Sequence, residues 1–102
     1  MSELSRKRKL FTALIIKVVS KMLDDNLSPC FGKDGLKHMV GSLHFEGLAQ
    51  DIDLYDNTGK YLDKTEDHTP YGVYWESLHP DCRWGGEWGD GNHYSITYQG
   101  KK

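Results

Sequence analysis

Two short stretches of this sequence contain the residue types that bind metal ions and move protons. In the first, His44 and Asp51 flank Gly47. Imidazole nitrogens and carboxylate oxygens are both zinc ligands, and a glycine between them lets the chain bend so that both reach one ion. A hydrogen-bonded surface pair is the ordinary alternative, and the spacing alone leaves both interpretations open.

The second stretch, residues 84–94, is rich in glycine and contains Asp90 and His93. His93 would supply a third ligand, and three protein ligands plus one water are typical of a catalytic zinc site rather than a structural one. Asp90 would then accept the proton of that water as a general base. The alternative is a tight turn in which Asp90 and Asn92 bond to their own backbone.

Two further carboxylates lie near these groups. Asp53 shares a strand face with Asp51, where it would either orient a metal ligand or remain solvated. Glu87 competes with Asp90 for the role of base.

The first element that must support these residues is a helix. Apolar residues repeat every three to four positions from residue 10 to residue 23, which predicts one long amphipathic helix. Ser5 is the expected N-cap, and Asp24 begins the polar run that ends the pattern. Pro29 and the glycines of residues 27–41 then predict an irregular connection.

Strand patterns cover much of the remainder. Residues 47–55 alternate apolar and polar side chains, which predicts a strand with one apolar and one acidic face. Residues 56–59 fit a hairpin turn that returns residues 60–62 as a partner strand. Residues 83–88 and 93–98 predict two more strands.

A second, short helix is predicted between these strand pairs. Thr69 is its expected N-cap, Pro70 fits the first helical position, and Pro80 sets its end. The order of elements predicts an α+β fold: a small antiparallel sheet that carries the zinc site, packed against a long N-terminal helix and a short second helix. At 102 residues, positions 1–102 should form a single domain.

Charge and hydropathy argue against several classes of protein. Thirteen Lys and Arg against 15 Asp and Glu give a net charge of -2, so the chain is no polycation built to bind nucleic acid. The basic residues 6–9 are expected to form a solvated helix end. Residues 10–19 are too few to span a bilayer and contain Lys17. We therefore expect a cytoplasmic monomer without stable membrane insertion.

The candidate residues together form a longer pattern. In chain order it consists of Ser42-x-His44-x-x-Gly47-x-Ala49-x-Asp51, then Trp84-Gly85-Gly86, then Asp90-x-x-His93. This pattern resembles the zinc peptidases of the D-alanyl-D-alanine carboxypeptidase and L-alanyl-D-glutamate endopeptidase family, many of which are bacteriophage endolysins. The resemblance extends over residues 42–98, and the motifs in this order are highly specific.

The resemblance implies a role for each matching residue. His44, Asp51 and His93 would hold a zinc ion. Asp90, rather than Glu87, would be the catalytic acid or base, because the family places this residue three positions before the last histidine. Zinc would lower the pKa of its water and polarise the scissile carbonyl, and Asp90 would pass the proton to the leaving amine.

The implied substrate is the stem peptide of peptidoglycan. Ser42, Trp84 and Trp88 are the candidate substrate-binding residues, the two indoles as walls of a groove. Core packing is the alternative for these aromatic side chains.

The sequence thus predicts a zinc-dependent peptidoglycan peptidase of phage or prophage type, made in the cytoplasm and acting on the wall after release. L-alanyl-D-glutamate endopeptidase is the preferred activity, and D-alanyl-D-alanine carboxypeptidase is the alternative. A non-catalytic zinc-containing module that binds cell wall or protein is a third hypothesis. It is favoured by the lack of any arginine between Lys9 and Asp81, since related enzymes carry a basic residue ahead of the Ser-x-His motif; Lys33 and Lys37 are possible substitutes. A DNA-binding factor acting through residues 6–9 ranks last.

Overall fold

The fold consists of two α-helices, five strands and two 3₁₀ turns, in a computed structural model that describes residues 2–32, 43 and 46–102. The helices and strands are α1 (Glu3–Asp24), β1 (Ser28–Phe31), β2 (Ala49–Tyr55), β3 (Tyr61–Leu62), α2 (Thr69–Leu78), β4 (Cys82–Trp84) and β5 (His93–Ile96). The first 3₁₀ turn, Thr65–His68, leads into α2, and the second, Gly85–Trp88, follows β4. The α+β prediction is confirmed.

Strand β2 is the centre of the sheet. The described strands form one antiparallel sheet in the order β1-β2-β5-β4, with β3 also paired to β2. One edge of β2 pairs with β1, and the other edge pairs first with β5 and then with β3. The neighbour of β2 therefore changes partway along this second edge.

Helix α1 begins earlier than its apolar stripe suggests. The N-cap is Ser2, whose hydroxyl accepts the backbone N–H of Ser5, so the prediction of Ser5 as the cap is wrong. The predicted end is confirmed, because the helix stops at Asp24 and Asn26 follows with a φ of 64°. A positive φ cannot continue a right-handed helix.

Three other predictions of local structure need correction. Residues 28–31, assigned to an irregular connection, form β1, whereas residues 33–42 lie outside the described residues. Residues 85–88, assigned to a strand, form the second 3₁₀ turn. At α2 the cap is His68 rather than Thr69, because the first 3₁₀ turn runs directly into the helix.

The core joins both helices to the sheet through stacked aromatic rings. The indole of Trp75 in α2 meets Phe11 of α1 edge to face at 5.8 Å and Tyr94 of β5 at 6.0 Å between ring centres. The Trp75 side chain is fully buried, and its N–H lies 3.0 Å from both the Arg83 and the Ser95 carbonyl oxygens. One donor thus fastens α2 to β4 and β5 at the same point.

The basic N-terminal residues also hold elements together. The Lys7 ammonium donates to the Asp81 carboxylate at 2.6 Å and to the Thr97 carbonyl at 3.1 Å. This hydrogen bond lowers the pKa of Asp81. The Arg8 Nε donates to the Glu46 carbonyl at 2.7 Å. The expected solvated helix end is therefore wrong for Lys7, which is partly buried, whereas Arg8 stays exposed while it contacts Glu46.

In the described part of the chain, neither helix has the length and apolar character needed to cross a membrane.

Replacing Trp75 with Phe should lower the free energy of unfolding by about 2–4 kcal/mol. The change removes buried volume and leaves the Arg83 and Ser95 carbonyls without this donor. Urea unfolding followed by circular dichroism measures the effect. Val73→Ala on the exposed side of the same helix is the matched control, with an expected change of about 0.5 kcal/mol or less. Equal effects of the two substitutions would contradict the role of Trp75.

Candidate metal centre

Strand register brings together two candidate ligands that are far apart in sequence. Asp51 of β2 and His93 of β5 are direct partners across the antiparallel pair. Directly opposed residues project their side chains to the same face of a sheet, with their Cβ atoms about 5 Å apart. The Nδ1 of His93 lies 3.7 Å from the Oδ1 of Asp51.

The loop before β5 adds Asp90 to this pair. The backbone N–H of Asp90 donates to the Gly85 carbonyl at 2.8 Å, and the N–H of His93 donates to the Asp90 carbonyl at 3.1 Å. Gly89 closes the second 3₁₀ turn with a φ of 78°, in the left-handed region that glycine adopts readily. The chain therefore folds back so that Asp90 stands beside His93.

Asp51, Asp90 and His93 form a group that could hold a metal ion. One ligand atom from each lies within 4.8 Å of the others. Zinc lies about 2.0–2.2 Å from nitrogen and oxygen ligands, so two donors on one ion are separated by about 4 Å or less. The 3.7 Å between Asp51 and His93 satisfies this limit. Two carboxylate oxygens and an imidazole nitrogen are also the chemical types that divalent transition metals take.

The three side chains differ in their access to solvent. His93 is buried, Asp51 is half-buried and Asp90 is exposed. Asp90 therefore lies on the solvent side of the group. The exposed carboxylate is the one that the sequence assigned to proton transfer.

Two of the predicted site residues cannot be placed. Ser42 and His44 lie outside the described residues, so the substrate and ligand roles expected of them remain predictions. Their neighbourhood is partly described: Leu43 is buried, and its carbonyl accepts the Leu48 N–H at 2.8 Å. These contacts anchor both ends of a short segment that leads directly into β2.

An arginine contacts this same segment, although none occurs in the connection that precedes the motif. Arg8 of α1 donates to the Glu46 carbonyl, and its guanidinium lies 3.8 Å from the Glu46 carboxylate. A Cβ placed on Gly47 would be 3.5 Å from the Arg8 Nε. The N-terminal helix thus brings a cation to the motif from a distant part of the chain.

Trp84 supports the loop of the metal group. Its indole N–H donates to the Gly91 carbonyl at 2.7 Å, between Asp90 and His93. Its backbone N–H donates to the Glu76 carboxylate of α2 at 3.0 Å. Side chains on Gly72 and Gly86 would overlap its ring, so the indole lies between two bare backbones. These contacts account for Trp84 by packing, and its substrate role stays a prediction.

Trp88 has a different environment. Its side chain is 42% exposed, and its ring lies edge-on to the His93 imidazole at 5.5 Å between centres. The Lys102 ammonium lies 4.9 Å from the same ring. An exposed indole beside a candidate ligand is in a position to contact a bound molecule, which is the role predicted for it.

Asp53 of β2 stabilises the loop that carries Asp90 and His93. Its Oδ1 accepts the side-chain N–H of Asn92 at 3.1 Å. The sequence predicted two alternative roles for this carboxylate: it would either orient a metal ligand or remain solvated. The structure shows that it bonds to the residue next to His93, so it helps to fix the loop.

His68 is a buried polar residue that the sequence did not identify as part of this region. Its ring is 3% exposed, and its Nδ1 lies 2.8 Å from the hydroxyl of Tyr94, the neighbour of His93. Burial lowers the pKa of His68, and the carboxylates of Asp67 and Asp53 only partly oppose this effect. Its partner is 26 positions away, so no local pattern indicates the pair.

No protein-family model matches this chain, and no curated protein shows significant sequence similarity to it.

Replacing Gly85 with Ala should lower the free energy of unfolding by about 1–3 kcal/mol. The new Cβ would overlap the Asp90 carbonyl oxygen and lie 2.7 Å from the His93 Cβ, so the loop must shift. Urea unfolding measures the loss. Gly59→Asn is the control, because that hairpin position has open space and asparagine tolerates a positive φ. A Gly85 variant as stable as the wild type would show that the loop adapts freely.

The buried His68 predicts a loss of stability in mild acid. Its pKa is lower in the folded protein than in the unfolded chain, so the unfolded chain binds the proton first as pH falls below about 6.5. The free energy of unfolding should therefore fall between pH 6.5 and pH 5, by up to about 1.4 kcal/mol per pH unit. Urea unfolding across this range tests the effect, and His68→Gln should reduce the slope. An unchanged slope in that variant would contradict the assignment.

Proposed function

We propose that this protein is a zinc-dependent peptidase that cleaves stem peptides of peptidoglycan, with the bond between L-alanine and D-glutamate as the preferred site. The observation that supports this most is the convergence of Asp51, Asp90 and His93 within 4.8 Å. These are three of the four residues to which the resemblance assigned the zinc and proton-transfer roles. Asp90 and His93 are close in sequence, and the pairing of β2 with β5 brings Asp51 to them from a distant part of the chain.

In this proposal the two strands provide the ligands. Asp51 and His93 would hold the zinc ion together with His44. The partner register of β2 and β5 fixes the first two side chains relative to each other, so they would need little rearrangement to bind. When bound, zinc supplies Lewis acidity, which lowers the pKa of a coordinated water and polarises a carbonyl oxygen.

Asp90 would carry out the proton transfer. Its carboxylate is exposed and lies beside the ligand pair, and its backbone is hydrogen-bonded to Gly85 and His93. A general base must reach the proton it removes, and an exposed carboxylate next to the ligands can do so. The same group would return the proton to the leaving amine.

Trp88 would contact the substrate. Its indole is 42% exposed and lies beside His93, so a peptide bound at the ligands would pass along it. Aromatic side chains provide such contact area at a low cost in conformational entropy. The proposed context is a phage-type endolysin that reaches the wall after release from the producing cell.

One observation favours the non-catalytic alternative, a zinc-containing module that binds without turnover. Among the described residues, Arg8 is the arginine that contacts the segment before β2, and its guanidinium is engaged by Glu46. A cation held in this way is less available to stabilise charge that develops on a substrate, and such stabilisation is a large part of catalysis.

Zinc analysis combined with cleavage of purified muropeptides tests the proposal. The wild type should bind one zinc per chain and cleave the peptide. His93→Ala should lose or weaken zinc binding, whereas Asp90→Asn should keep the metal. Both should cleave at least about 100-fold more slowly, because one has lost its metal ligand and the other its base. Masses of the products identify the bond, and release of D-alanine would indicate a carboxypeptidase instead.

Glu87→Gln is the matched control. Glu87 is a carboxylate of the same loop, but it is exposed and lies 3.9 Å from Lys102. Its loss should leave both zinc binding and cleavage unchanged. Zinc without cleavage in the wild type would favour the binding module, and a protein that binds no zinc would refute the metal site.

A further inference from the structure

A small cleft opens where β2 changes its neighbour from β5 to β3. It has a volume of about 150 Å³. Its walls are the segment from Tyr61 to Thr65, the His68 ring and residues 89–92. Asp90 belongs to both the cleft and the candidate metal group, so the two features are continuous.

The hydroxyl of Tyr94 determines which nitrogen of His68 carries the proton. Tyr94 is fully buried, and within the described residues its hydroxyl has one hydrogen-bond partner, the His68 Nδ1 at 2.8 Å. A buried hydroxyl that did not donate its proton would cost about 1–3 kcal/mol. The Tyr94 O–H therefore donates to Nδ1, and the proton of the neutral imidazole must be on Nε2.

The hydrogen bond with Tyr94 and the burial of the ring make His68 a neutral imidazole whose Nε2–H points in a fixed direction. Burial disfavours the charged ring, while Asp67 and Asp53 favour it less strongly. Because Nδ1 is held in the core by Tyr94, the opposite edge of the ring is the part that can reach the cleft. An N–H at the wall of a cleft can donate to an oxygen atom of a bound ligand.

We infer that the Nε2–H of His68 binds a carbonyl or carboxylate oxygen of the peptide substrate, in the cleft beside Asp90. Thr65 and Asn92 line the same cleft and offer further polar groups, and Lys64 adds a positive charge. This inference rests on the proposed function for the identity of the ligand. It assigns His68 to substrate binding, whereas zinc binding and proton transfer belong to other residues.

The tautomer can be tested without any substrate. In ¹⁵N-histidine-labelled protein, NMR should show the His68 proton on Nε2 at pH 7. In Tyr94→Phe the donor to Nδ1 is lost, and the ring should change its tautomer or exchange between the two forms. A proton on Nδ1 in the wild type would overturn the inference.

Substrate binding is tested in the zinc-loaded Asp90→Asn variant, which should bind without turnover. Addition of the stem tripeptide should shift the His68 Nε2–H signal, and His68→Phe should weaken binding at least 10-fold. His68→Gln, which keeps an N–H donor, should recover part of the affinity. A tripeptide with the D-glutamate carboxylate amidated separates the two acceptors: weaker binding identifies the carboxylate, and equal binding the peptide carbonyl.

The results distinguish failure of this inference from failure of the proposed function. If the wild type cleaves muropeptides but His68→Phe has an unchanged KM and the His68 signal does not move, the inference is wrong and the function stands. If the wild type does not cleave but the peptide still shifts His68, the inference stands for a binding module. A peptide that does not move the His68 signal in any zinc-loaded form refutes the inference.

Discussion

The shared hydrogen bond of the Trp75 indole is the constraint on which the rest of the structure depends. A single N–H serves the carbonyls of Arg83 and Ser95, one on each of two paired strands. A change in the position of α2 would therefore move β4 and β5 together. Since β5 begins at His93, the packing of α2 against these strands helps to determine where the metal group stands.

The change of neighbour along β2 is a second feature that shapes the site. A single continuous partner strand would cover this edge and leave no room for a cleft. Here β5 pairs with Ala49–Asp51 and β3 with Leu54–Tyr55. Asn92 lines the opening between them, and its side chain donates to the Asp53 carboxylate of β2. The cleft thus lies beside the candidate ligands, at the point where β2 changes its partner.

The sequence predicted those elements in which the local pattern of apolar residues matches the face that is buried in the fold. Residues 47–55 alternate because one face is buried, and β2 forms there. Strand β1 was missed because Pro29 is a poor strand former, although an edge strand tolerates proline. The turn at residues 85–88 was missed because its shape depends on how Gly85 fits against Asp90 and His93, which no local pattern reveals. His68 was missed for the same reason, since its partner is remote in sequence.

The pairing of Asp51 with His93 also has a consequence for folding. Side chains alternate between the two faces of a strand, so a slip of one position between β2 and β5 would move one of these residues to the opposite face. An ion that needs both residues could then bind only to the correctly aligned sheet. Binding to the native state alone shifts the population toward that state. A metal ion would therefore discriminate against misaligned strand pairs in addition to any role in catalysis.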